Sequence, residues 1–276
     1  MKGTLLLLGI AAVLVSTAGA TYLNIEGPVN VTVHNNESIF LGKIGPGESF
    51  YILASPETTN STGYLANVGW DTLVARVPPG WAAEASPLYQ NPMKMKVTVS
   101  PNAKNGTYEV AIKAVNVGNY SKLGNLTVDA YVNVTPDVYS FKVSPLSLSA
   151  GVGQPSDINI WINNTGISDD PFIISAEGLP AWNMSDEVIS LHFSKGTFTY
   201  PVFMNEPGVY RFNLSVSSAS SPLIQRTYPA RFTVKESLLN DYSAVGQGVD
   251  LSPIIFEPTY AVMSLISGVY KYFTHR

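Results

Sequence analysis

The sequence predicts an all-β protein made of two sandwiches in tandem, and three observations carry that prediction. Apolar and polar residues alternate in GTYEVAIKAVN (Gly106 to Asn116), NLTVDAYVNV (Asn125 to Val134), DINIWINN (Asp157 to Asn164) and GVYRFNLSVSS (Gly208 to Ser218), the period of half-buried strands. Gly, Pro, Asn and Ser punctuate these segments roughly every 8–12 residues, and no convincing amphipathic helix interrupts Tyr22 to Lys235. The third observation is an internal repeat. At a shift of 101, WDTLVARVPPGW (Trp70 to Trp81) falls on PFIISAEGLPAW (Pro171 to Trp182), matching Ala75 with Ala176 and Pro79 with Pro180. At a shift of 102, Gly106 and Tyr108 fall on Gly208 and Tyr210, and the last strands end at Val134 and Val234. Four ordered matches with small drift point to duplication of a unit of about 100 residues.

The chain opens with MKGTLLLLGIAAVLVSTAGA: a basic Lys2, an apolar run from Leu5 to Val15, and the small residues Ala18-Gly19-Ala20. That is the layout of a secretory signal peptide, residues 1–20, with cleavage expected after Ala20. The apolar run is 11 residues long, short of the ~20 that a membrane span needs. Export with no cysteine leaves neither disulfides nor thiolate metal sites, so stability rests on burial. Losing Lys2 moves the formal charge from −4 to −5. With no basic patch to neutralise phosphates, nucleic acid is not expected as a partner.

Ten of the twenty asparagines lie in N-x-[ST] sequons: Asn30, Asn36, Asn60, Asn105, Asn119, Asn125, Asn133, Asn163, Asn183 and Asn213. Random placement gives roughly three or four. The excess marks these as expected glycosylation sites, where sugars keep loops and strand edges solvated. Charged residues make up only 13% of the chain, so glycans would supply solubility that Lys and Glu supply elsewhere. Many sequons without cysteine fit an archaeal surface.

The first sandwich is assigned residues 21–135 and the second 136–236, with the boundary near TPDVYS (Thr135 to Ser140). Each begins with a strand, a proline (Pro28 or Pro145), and a Gly-rich turn, GPGESF or GVGQPSD. In VPPGW, the prolines end a strand and turn the chain, and Trp81 folds back to close the end of the sandwich. The rival reading makes Trp81, Trp70 and Tyr89 a platform for stacking sugars.

After Val234 the pattern changes. Residues 237–253 read as a linker. Residues 254–276 are expected to form an apolar helix, since Val262, Leu265, Ile266, Val269 and Phe273 follow a 3.6-residue spacing. Its uncharged core, Pro258 to Tyr270, is 13 residues and too short to span a bilayer alone. Extended back to Leu251 the run reaches 20 residues and would span only with Glu257 and two prolines inside it. Docking is favoured over spanning, on a membrane surface with Tyr260, Tyr270 and Tyr272 at headgroup depth or in a groove of a partner. Packing on the chain's own second sandwich stays open.

No fingerprint of catalysis is present. His34, His192 and His275 are isolated, and no H-E-x-x-H, G-x-S-x-G, P-loop or dinucleotide motif occurs. The pairs Asp169-Asp170 and Asp186-Glu187 read as solvated loop carboxylates rather than calcium loops, because no D-x-D-x-D spacing is present. No catalytic residue, metal ligand or cofactor is expected.

The order strand, Gly turn, strand, N-x-G, strand, [LV]-P-x-x-W with one residue of drift, strand, G-x-Y strand is shared by both units. It is carried best by NNTGISDDPFIISAEGLPAW and EPGVYRFNLSV, within Tyr139 to Val234. It resembles the Ig-like modules of exported archaeal and bacterial proteins, above all the NEW-type domain associated with carbohydrate-binding modules and archaeal adhesion-type domains. The resemblance implies two tandem Ig-like β-sandwiches acting as spacers or interaction surfaces. The expected function is that of a non-enzymatic exported glycoprotein at the extracellular face of the cell membrane or envelope. It would act as a structural scaffold or accessory subunit, attached through the C-terminal helix to membrane or to other envelope proteins. The alternative is a carbohydrate-binding surface module.

Overall fold

The structure, a computed structural model, describes residues 21–59, 69–116, 125–180 and 184–236. The signal peptide, the linker and the apolar tail lie outside the described residues, as do Trp182 and the sequons at Asn60, Asn119 and Asn183.

Every regular element among the described residues is a strand. The first repeat supplies β1 (Thr21–Gly27), β2 (Val31–His34), β3 (Ser38–Ile44), β4 (Ser49–Thr58), β5 (Thr72–Arg76), β6 (Ala82–Glu84), β7 (Met93–Thr98), β8 (Gly106–Val115) and β9 (Leu126–Val134). They form two sheets, in the orders β2-β1-β4-β7-β6 and β3-β9-β8-β5. The second repeat supplies β10 (Tyr139–Ser144), β11 (Ser147–Gly151), β12 (Ser156–Asn164), β13 (Asp170–Glu177), β14 (Ser185–Ser190), β15 (Lys195–Val202), β16 (Gly208–Ser218) and β17 (Gln225–Lys235). Their sheets run β10-β12-β15 and β11-β17-β16-β13-β14.

The two sets share one plan. β1-β4-β7 in the first repeat and β10-β12-β15 in the second hold the same places, and so do β3-β9-β8-β5 and β11-β17-β16-β13. In the first repeat two strands remain: β2 adds to the edge at β1, and β6 joins β7, so that β1-β4-β7-β6 and β8-β5 with β9 give the two-sheet arrangement of an Ig constant-type domain. In the second the counterpart of β6, β14, has changed sheets and pairs with β13, from Asp170↔Ser190 to Ser175↔Ser185. The chain is therefore all-β with tandem Ig-like sheet topology.

Alternation along the strands builds the cores. On β9, Leu126, Val128, Ala130, Val132 and Val134 are buried while the residues between them are half-exposed, as a strand with one covered face requires. Leu23, Ile25, Ile52, Ala54, Met95 and Val97 from one sheet of the first repeat are fully or almost fully buried, as are Leu73, Ile112, Ala114 and Val128 from the other. In the second repeat Ile158, Ile160, Ile162 and Tyr200 pack in one cluster with Phe172, Leu214, Val216 and Phe232 from the opposite sheet. Pro229 sits within β17 without breaking its sheet. The parallel pairing of β11 with β17 starts only at Ser147↔Arg231, so no neighbour on that side needs the missing N–H.

The chain divides into two compact units that do not follow chain order. Among the described residues, the second takes in Gly42–Phe50 and Thr98–Thr107 as well as everything from Val132 onward. Within that unit the Ile167 N–H donates to the Lys43 carbonyl (2.9 Å), Thr135 N–H donates to the Ile44 carbonyl (2.9 Å), and Ser168 Oγ donates to the Ser49 carbonyl (2.7 Å).

Candidate functional site

The two Gly-rich turns are one device built twice. In Gly45–Glu48 the Glu48 N–H donates to the Gly45 carbonyl (3.3 Å), and in Gly151–Gln154 the Gln154 N–H donates to the Gly151 carbonyl (3.1 Å). The third residues, Gly47 and Gly153, have φ of 86° and 70°, the conformation that a type II turn reserves for glycine. In each turn the fourth side chain returns to the first N–H. Gly45 N–H donates to Glu48 Oε2 at 2.8 Å, and Gly151 N–H donates to Gln154 Oε1 at 3.2 Å. A neutral amide closes one turn and a carboxylate closes the other.

Burial separates them. Gln154 is half-buried, whereas Glu48 has 0% exposure. Bare glycines let its turn pack closely. A Cβ on Gly45 would stand 2.5 Å from Ile224 Cδ1, and one on Gly47 would stand 2.5 Å from the Ser220 carbonyl oxygen. Two further polar groups of the same unit belong to this region. Asp170, the first residue of β13, also has 0% exposure, and Tyr139, the first residue of β10, is buried.

These groups act on one another. Burial pushes the Glu48 carboxyl up to about 7, the Gly45 N–H pulls against that rise, and the Asp170 charge adds to it. Burial likewise raises Asp170, against the pull of Ser218 and Ser220. The Tyr139 hydroxyl is raised by burial first and then by the charges of Glu48 and Asp170. Among the described residues no Lys, Arg or His contributes to the field at either carboxyl. Tyr139 comes within hydrogen-bonding reach of Glu48, and Ser218 and Ser220 within reach of Asp170, without closing to full hydrogen bonds. Glu48 Oε1, Tyr139 Oη and both Asp170 carboxylate oxygens are buried without a well-formed partner. So are the hydroxyls of Ser190, which faces Asp170 in register, and of Ser221, whose N–H donates to Ser218 Oγ (2.8 Å). Trp70 Nε1 is the one other buried side-chain atom in this condition among the described residues.

The sequence assigned Asp169-Asp170 to a solvated loop, and the structure corrects this. Successive side chains at a strand entrance face opposite ways. Asp169 stays exposed and accepts hydrogen bonds from the His192 N–H (2.7 Å) and ring Nδ1 (2.6 Å), while Asp170 turns inward. Asp186 and Glu187 are not in a loop either, since both lie on β14. Glu48 went unnoticed because its segment looked like an ordinary turn. The available signal was the equivalence of Glu48 and Gln154 as fourth residues of matched turns.

The described sequon asparagines are spread over the surface. Asn30, Asn36, Asn105, Asn125 and Asn213 are exposed, and Asn133 and Asn163 are half-buried. Asn164, which is not a sequon asparagine, is by contrast buried at 2% exposure and donates to the Ser168 carbonyl (2.8 Å). The three rings weighed as a sugar platform are not equally available. Trp70 and Trp81 are buried, and Trp81 packs against Tyr108 at 5.3 Å, while Tyr89 is 73% exposed. The Trp81 N–H donates to the Pro78 carbonyl (3.1 Å) beside Gly80 at φ 82°, so VPPGW is a turn with its ring folded inward. His34 meets Glu37 at 3.4 Å, far along the chain from the His192–Asp169 pair. Among the described residues no three of His, Asp and Glu gather as a metal-binding group, and no helix is long and apolar enough to cross a membrane.

No protein-family model matches the sequence. No curated protein matches it either. Among solved structures, the chain is similar to a chimeric titin Z1Z2 carrying a KLER peptide from decorin, with TM-score 0.36, 13% identity, and coverage of 79% of this chain and 99% of that one. It is also similar to the fibronectin(III)-like modules of Clostridium thermocellum CbhA, with TM-score 0.27, 13% identity, and coverage of 78% and 94%. A third is the D00-D0 domain of intimin, with TM-score 0.26, 13% identity, and coverage of 77% and 99%. Likenesses this weak carry no argument about activity.

Proposed function

We propose that this chain is a non-enzymatic exported glycoprotein of the cell envelope. It acts as a spacer or accessory subunit, held to the membrane or a larger assembly through residues 254–276. The observation that supports this reading most is the placement of the sequons: all seven described asparagines lie at or near the surface, on both repeats. Sugars at such positions cover strand edges and flanks, and so guard two stacks of strands against edge-to-edge association. The sandwiches then work as stable bodies that carry glycans, with attachment left to the tail.

The carbohydrate-binding alternative asks for an exposed aromatic surface, and of the three rings considered only Tyr89 has one. That weighs towards the scaffold. The test is gentle detergent extraction of the native protein from its own cells, with mass spectrometry of co-eluting proteins and of glycopeptides. Occupied sequons, together with a stoichiometric partner set or membrane retention lost on deleting residues 254–276, is the expected result. An unglycosylated protein recovered from the medium, independent of the tail, refutes the proposal.

A further inference from the structure

Buried polar atoms in folded proteins are nearly always paired, and each exception asks for a cause. Six of the seven exceptions among the described residues are oxygens of Glu48, Tyr139, Asp170, Ser190 and Ser221, all in the second compact unit. Glu48, Asp170 and Tyr139 share one electrostatic field, Ser190 faces Asp170 across β13 and β14, and Ser221 follows the Ser218–Ser220 segment that flanks Asp170. The side chains of Glu48 and Asp170 are fully buried, and among the described residues no basic group answers them.

The second repeat shows that the turn does not need this charge. Gln154 makes the same bond to its own turn with an amide, so the carboxylate of Glu48 is surplus to closing Gly45–Glu48. We propose that Glu48 and Asp170, with the neighbouring hydroxyls, form a binding site for one hard divalent cation of the calcium type. The donors are all oxygen, and the chain has no thiolate, which favours a hard ion over zinc or copper. Two carboxylates match a charge of +2. A site closed to solvent suits calcium, which accepts many protein oxygens in flexible geometry, better than magnesium, which keeps its waters. The bound ion ties the Gly45–Glu48 turn to the start of β13, 122 positions further along the chain, and so makes the compactness of this unit calcium-dependent.

The test uses the full chain, stripped with EDTA and then equilibrated with calcium or magnesium. Bound metal is measured by elemental mass spectrometry and melting is followed by circular dichroism. About one calcium per chain is expected. A saturable rise in Tm of about 5–10 °C should appear at a calcium concentration about a hundredfold above Kd. Glu48→Gln preserves the turn bond, as Gln154 demonstrates, so it reads the ligand and not the fold. In EDTA, Glu48→Gln and Asp170→Asn should melt at or above the wild-type temperature, because each removes an unanswered buried charge. In calcium both should melt below wild type. This reversal of rank is what a merely structural role does not produce. A wild-type protein that binds no calcium and melts identically in calcium and EDTA overturns the proposal, even if its Tm moves with pH as a proton-sharing pair would. A calcium response retained in both variants places the ion elsewhere and also overturns it. An equal response to magnesium overturns the choice of calcium.

Discussion

Phe172 offers the sharpest test of how the second core is held. The side chain is fully buried on β13 and meets two rings edge-on: Tyr139 at 4.9 Å and 76°, and Phe141 at 5.5 Å and 70°. Truncation to Ala removes its burial and leaves a cavity, for a cost of about 3–5 kcal/mol. Replacement by Leu keeps most of the apolar volume but loses both edge contacts, worth about 0.5–1.5 kcal/mol each beyond area. Phe172→Leu should therefore cost about 1–3 kcal/mol. Phe141→Leu, measured alone and together with Phe172→Leu, closes a double-mutant cycle that isolates one ring pair. Urea denaturation followed by circular dichroism gives the four stabilities. A coupling energy of about 0.5–1.5 kcal/mol is expected, with Phe172→Ala far below all of them. A coupling within about 0.3 kcal/mol of zero, the additivity of independent sites, would falsify the claim that ring geometry and not bulk alone organises this face of the core.

With chelator present, stability should depend on pH through Glu48. Its folded pKa of about 7 stands above the ordinary 4.5, so this contribution is full below pH ~4.5 and is lost as pH rises through ~7, for roughly 3 kcal/mol in all. Glu48→Gln should flatten that slope in a Tm–pH series, and an unchanged slope would remove Glu48 as its source. Gly47→Ala should destabilise by at least about 1–2 kcal/mol, since it forces a side chain into φ 86° and adds a Cβ 2.5 Å from the Ser220 carbonyl oxygen; a neutral result in urea titration contradicts the tight approach of this turn. Tyr200→Phe should cost about 1 kcal/mol, because the buried hydroxyl donates to the Met184 carbonyl at 2.6 Å; hydrogen exchange at the start of β14 should rise with it. Asn213→Gln should lower the intact mass of the natively produced protein by one glycan and leave its melting within about 0.5 kcal/mol, as for an exposed position.

The sequence by itself determined the strand content, the repeat and its turns. These are local properties: alternation reports which face of a strand is covered, and a glycine at the third place of a turn reports a backbone that other residues avoid. It could not show that β14 pairs with β13 while β6 pairs with β7, because a short strand of either repeat has the same pattern on either sheet. Nor could it show which carboxylates are buried. Asp170 follows an exposed Asp169 and looks solvated in sequence, and Glu48 looks like the end of a turn. The Gly45–Glu48 turn packs against Ser220 and Ile224, more than 170 positions away, and Asp170 lies against Ser218 and Ser220, about 50 positions away. Desolvation is a property of everything that packs around a group, and no local pattern records it. Only the tertiary structure brings two unanswered acids into one dry region, and the chemistry proposed for them begins there.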